Sequence, residues 1–149
     1  MTVWKRKWRW AQVDKVLNYL SLARKAGFAE LGEEPVGAIA RTGKAYLIAV
    51  ASDASDHTWR RAKSFAAGTE QQCIRIAQTK DEMGFAIGRQ ELAIAAITDP
   101  ALALAMVQAT CEPEKHKAAL EILEAKAVRA KKRRAEAKAH KRNVRKGKK

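Results

Sequence analysis

Between Val13 and Ala26, apolar side chains recur at three- and four-residue steps (Val13, Val16, Leu17, Leu20, Ala23), drawing one buried face along a helix. Arg24 and Lys25 sit in its last turn, where cations suit the helix dipole, and Gly27 stops it. The period then changes. Residues 28–31 predict a short strand, Gly32 breaks it, and Pro35 suits the first turn of a helix over 35–42. Residues 45–51 are continuously apolar, as in a strand covered on both faces. Ser55 or Asp56 can cap a helix running to Ala67, with Gly68 ending it. Residues 72–77 alternate like a strand, 80–87 predict a short helix stopped by Gly88, and 92–97 form another apolar strand. Thr98-Asp99-Pro100 opens a further helix, Pro113 interrupts it, and 114–142 resume one. Helices alternating with four short strands predict an α/β protein, a three-layer α/β/α sandwich with a helical extension.

Charge divides the chain differently from hydropathy. Of the formal +14 carried by 149 residues, +12 lies in 126–149 and +4 in 1–15, leaving −2 for the middle. A near-neutral body of 13–112 thus stands between an amino-terminal arm, 1–12, and an extension, 113–149, that ends in a basic tail. Blocks of like charge repel themselves and become ordered against a polyanion. Beyond Ala130 the only apolar side chains are alanines and one valine, so those turns have helix propensity and nothing to bury. No apolar run approaches the ~20 residues of a membrane span, and no apolar segment follows the basic start as in a secretory signal. Cys73 and Cys111 lie far apart without metal-ligand spacing, which suits a reduced, cytoplasmic compartment and neither a disulfide framework nor a zinc site.

Few residues point to chemistry. Asp53, Ser55, Asp56 and His57 follow a strand, where acid–base catalysis and ordinary helix capping are both possible; capping is the simpler reading. His116 and His140 have no ligand cluster around them. Gly37 to Lys44 is not a phosphate loop: five residues separate the glycines, Ala45 follows the lysine, and the segment precedes a strand. No metal or cofactor is expected. In the amino-terminal arm Trp4, Trp8 and Trp10 alternate with Lys5, Lys7 and Arg9, and in an extended chain the indoles share one edge with Arg6. Such an arm can stack on bases between phosphate-binding cations, lie at a membrane interface, or fold back over the domain. In the tail, Lys131, Lys132, Arg133, Arg134, Lys138, Lys141, Arg142 and Arg145 suit counterion-releasing contacts with phosphates, which carry no sequence information.

Ala23-Arg24-Lys25-Ala26-Gly27, Gly32, Ala38-Ile39, Gly43-Lys44, Ser52-Asp53-Ala54-Ser55, Gly84-x-x-x-Gly88 and Ile97-Thr98-Asp99 follow in that order over 16–99. The ordered set resembles the RNA-binding ribosomal protein family that includes the large-subunit proteins "seven-Ae" and "thirty-e", and within it the small bacterial YlxQ-like branch. The resemblance implies a central mixed sheet, no enzymatic activity, and binding of structured RNA, often a kink-turn. It also implies two contact surfaces. One is Gly32, Glu33, Glu34, Pro35 and Ala38; the other is Gly88, Arg89, Gln90, Glu91 and Leu92. Where kink-turn binders carry Asn-Glu and a lysine three residues beyond the Glu, this chain has Glu34, Pro35 and Ala38. A glutamate only accepts hydrogen bonds and repels phosphate, so this surface is acidic and the basic arms are expected to supply much of the affinity.

The expectation is a cytoplasmic, non-enzymatic protein bound to structured RNA, ribosomal RNA foremost, beside other ribosomal proteins. Two alternatives use the Trp/Lys arm instead: attachment to a membrane surface, and docking on a protein.

Overall fold

A computed structural model describes residues 3–110 and 116–146, with side chains described over 15–110 and 116–144. The elements are α1 (Val3–Ala26), β1 (Ala29–Leu31), α2 (Glu33–Arg41), β2 (Leu47–Val50), α3 (Asp56–Ala66), β3 (Gln72–Arg75), α4 (Lys80–Ala86), β4 (Ile94–Ile97), α5 (Pro100–Gln108) and α6 (Lys117–Lys146). The four strands form one mixed sheet in the order β1-β4-β2-β3. β4 runs antiparallel to both β1 and β2, with Ala29 opposite Ile97 and Ile48 opposite Ala96, while β2 and β3 are parallel. Helices α1, α4 and α5 pack together on one face, α2 and α3 on the other, and α6 lies against α5. The three-layer α/β/α sandwich and its mixed sheet are as expected.

β2 and β4 are buried at every position, because helices cover both faces of the two central strands. Val16, Leu20 and Ala23 of α1 join that core, as their spacing predicted. Caps set the helix starts. The Ser55 hydroxyl accepts from Thr58 N at 3.2 Å, Asp99 Oδ2 accepts from Leu102 N at 3.0 Å, and Thr79 and Glu82 close a reciprocal capping box.

Three helix boundaries differ from those the sequence predicts. Helix α1 starts at Val3, ten residues before Val13, so Trp4 to Trp10 lie in helical backbone. No glycine or proline interrupts 3–26, and once residues 13–26 have nucleated the helix each added residue costs little. Helix α2 starts at Glu33, two residues before Pro35, because Val36 N already bonds to Gly32 O at 3.1 Å. The last helix starts at Lys117 and passes Arg142 to reach Lys146; Pro113 and Cys111 lie outside the described residues.

Candidate nucleic-acid interface

Strand direction brings the two family-like segments to one end of the sheet. β1 ends there at Gly32, whose N–H bonds to Ile94 O at 3.0 Å, and Ala51 N, just past β2, bonds to Ala93 O at 2.9 Å. The turn into α2, the loop from α4 to β4 and the turn after β2 therefore lie side by side. At the start of α2, Gly32 has no side chain to cap the helix, leaving the Glu33 and Glu34 N–H groups without a side-chain cap among the described residues; Pro35 has no N–H. Glu34, Pro35 and Ala38 are exposed. Glu33 is engaged within the fold instead. Its carboxylate accepts from Thr58 Oγ1 and from Arg61 Nη1, both at 2.9 Å, which ties α2 to α3 and offsets one of the two negative charges.

The second segment explains its glycine pair. A Cβ on Gly84 would stand 2.6 Å from Glu91 Cα and 2.7 Å from Glu91 N, so only glycine lets the loop lie on the helix. Gly88 has φ +76°, the left-handed turn after α4, and Arg89 N returns to Gly84 O at 2.8 Å. Arg89, Gln90 and Glu91 are exposed as a result. Leu92 is not part of that surface: its side chain is buried and its N–H bonds to Lys80 O. Phe85, which sequence reasoning passed over, stands 86% exposed on α4, three residues from Gly88. Its one sequence signal is a lone aromatic between two glycines.

Asp53 and Ser55 act as caps. Asp53 Oδ1 accepts from Lys80 N at 2.8 Å, at the start of α4, and Ser55 caps α3. His57 is exposed beside them. Among the described residues no group of three or more His, Cys, Asp or Glu side chains gathers in a way that could hold a metal.

The basic helix occupies the opposite end of the sheet. Lys126 pairs with Glu70 at 3.1 Å and lies over the Tyr46 ring at 5.3 Å; Arg134 Nη2 bonds to Asp99 Oδ1 at 3.1 Å. Tyr46 precedes β2, Glu70 precedes β3 and Asp99 follows β4, so all three contacts mark that far end. Leu123 of α6 is fully buried. From Lys131 to Val144 every residue is exposed, and of the cations there only Arg134 has a carboxylate within reach among the described residues. Trp4, Lys5, Lys7, Trp8, Arg9 and Trp10 fall in the first turns of α1. The structure thus joins the Gly32 and Gly88 segments and holds the basic tail apart from them.

No protein-family model and no curated protein matches this chain. Among solved structures, a protein of unknown function from Bacillus halodurans is similar at 24% identity, with a TM-score of 0.59 over 64% of this chain and 95% of its own. A 15.5 kD RNA-binding protein from Giardia lamblia is similar at 18% identity, with a TM-score of 0.58 over 70% of this chain and 89% of its own. Both likenesses are of fold.

Proposed function

We propose that this chain is a non-enzymatic RNA-binding protein, with ribosomal RNA as its principal target. The observation that carries the reading is the exposed run of cations on α6, from Lys131 to Arg142, fixed to the body through Leu123, Lys126 and Arg134. A cation density of this kind, with Arg134 alone paired to a carboxylate among the described residues, suits a phosphate backbone. Support also comes from the fold it shares with the Giardia RNA-binding protein. In this reading the Gly32 and Gly88 segments meet a folded element of the RNA. Arg89 and Gln90 there offer a phosphate contact and a base-edge contact, and Phe85 a stacking surface.

The acidic start of α2 argues for a different grip from that of kink-turn binders. Glu34 accepts hydrogen bonds and donates none, and Ala38 brings no charge. Tight kink-turn recognition is therefore not part of the proposal.

Crosslinking in cells, with sequencing of the attached RNA, tests the function. Discrete sites on ribosomal RNA that fade in a Lys131→Glu, Lys132→Glu, Lys138→Glu variant support it. Scattered sites in proportion to RNA abundance would mean that the helix binds any polyanion. The membrane alternative predicts instead that nuclease-treated protein sediments with anionic vesicles; no described helix is long and apolar enough to cross a bilayer.

A further inference from the structure

The cations of the folded body differ in what holds them. Arg61 has Glu33, Lys126 has Glu70 and Arg134 has Asp99, each within 3.1 Å. Lys63 and Arg75 have no carboxylate partner among the described residues. Both are held by one indole: Arg75 Cζ lies 4.9 Å and Lys63 Nζ 5.5 Å from the Trp59 ring centroid. Trp59 and Lys63 are one turn apart on α3, and Arg75 ends β3, an edge strand with no strand on its outer side among the described residues. Lys63 and Arg75 are exposed, and Trp59 is half-buried.

This arrangement differs physically from an ion pair. A carboxylate neutralises the cation it holds, whereas an aromatic face restricts it and leaves its charge and its N–H donors available. Two long side chains are thus ordered in advance, and an anion bound there avoids much of the usual ordering cost. The position is also specific. Trp59, in the first turn of α3, and Arg75, at the end of β3, lie at the same end of the sheet as Gly32 and the 88–91 loop, with Lys63 one turn further along α3. β3 lies two strands from β4, about 10 Å at ~4.8 Å per strand, which a few nucleotides of one RNA strand can span.

We propose that Lys63 and Arg75, ordered on Trp59, form a second phosphate-binding site on the body, extending one RNA track from the α4–β4 loop past β2 to the β3 edge. The inference rests on the RNA-binding reading above and adds a surface to it. The site adds positive charge to an end of the sheet where the exposed carboxylates of Glu34, Glu91 and Asp56 stand around Arg89.

The test measures binding of the full chain to a fluorescein-labelled stem–bulge–stem RNA across a salt series. Lys63→Ala with Arg75→Ala should raise the Kd on the order of tenfold and lower the log–log salt slope by about 1 per cation removed. A control pair of equal charge, Arg41→Ala with Lys44→Ala, should have a much smaller effect. Trp59→Leu, with its fold checked by thermal melting, keeps both charges but frees them; it should weaken binding and leave the slope nearly unchanged. The inference is overturned if the Lys63/Arg75 variant keeps the Kd and slope of the parent, or if the control pair loses as much. If the parent chain itself fails to bind this RNA while its fold is intact, the proposed function falls, and this site with it.

Discussion

At the scale of single residues, two glycines and a cysteine make separable claims. Gly84→Ala drives a Cβ into the Glu91 backbone, which cannot move without displacing the whole 88–92 loop. The expected loss is roughly 1–3 kcal/mol, read from urea denaturation, together with weaker RNA binding. Gly37→Ala meets only the tip of the Phe65 ring, at 3.0 Å, and gains helix propensity. It should be tolerated far better, and equal losses at the two sites would discredit the close-packing account of the loop. Cys73 is free, and burial pushes its thiol from 9.0 up to about 12, with nearby Lys63 pulling the other way. The unfolded chain ionises first, so this residue's contribution is full below pH 9 and fades as pH rises toward 12. Denaturation at pH 7 and pH 10 should therefore show a smaller alkaline loss in Cys73→Ala than in the parent. In a Cys111→Ser background, the native Cys73 thiol should alkylate more slowly than the unfolded one.

At the scale of elements, caps and anchors decide where helices begin and what they hold. Asp99 serves two of them, capping α5 with one oxygen and holding Arg134 of α6 with the other. Asp99→Asn should keep the cap and weaken only the hold on α6. Asp99→Ala loses both and should cost about 1 kcal/mol more, by the same denaturation measurement. Helix α6 itself has two halves. Its first half is part of the core, and Leu123→Ala should destabilise by about 2–5 kcal/mol. Its second half is exposed at every described side chain and tied to the body by Arg134 alone among the described residues. Amide exchange should show protected N–H groups up to about Arg134 and rapid exchange beyond, since an isolated basic helix is marginal alone.

For the whole molecule, the consequence is that folding and charge can be separated at Arg134. A chain ending there should keep nearly all of its stability, because only exposed residues are removed among those described. It should bind RNA with a salt slope reduced by about 0.7 to 0.9 for each phosphate that the missing cations would have neutralised. A chain ending at residue 112 should be far less stable, because Ala119 and Leu123 no longer cover α5. Comparing the two by thermal melting and by RNA titration separates the part of α6 that builds the domain from the part that meets phosphate. If both truncations melted alike, the docking of α6 would be wrong.

The periodicity of apolar residues determined most elements by itself. Burial on both faces of β2 and β4 forces continuous apolar runs, and Ser55 and Asp99 are side chains whose capping chemistry acts over three residues. The charge division is local too, so the basic tail was plain in the sequence. Contacts between distant positions were not. Glu33 read as part of an exposed acidic surface until Thr58 and Arg61, 25 and 28 residues on, took up its carboxylate. Leu92 read as an interface residue until the loop buried it. Trp59 and Lys63 are neighbours on one helix, but Arg75 reaches the indole only because β3 lies beside β2, under α3. A one-dimensional pattern records which side chains want to leave water; which partner each one meets is fixed only when the sheet is assembled.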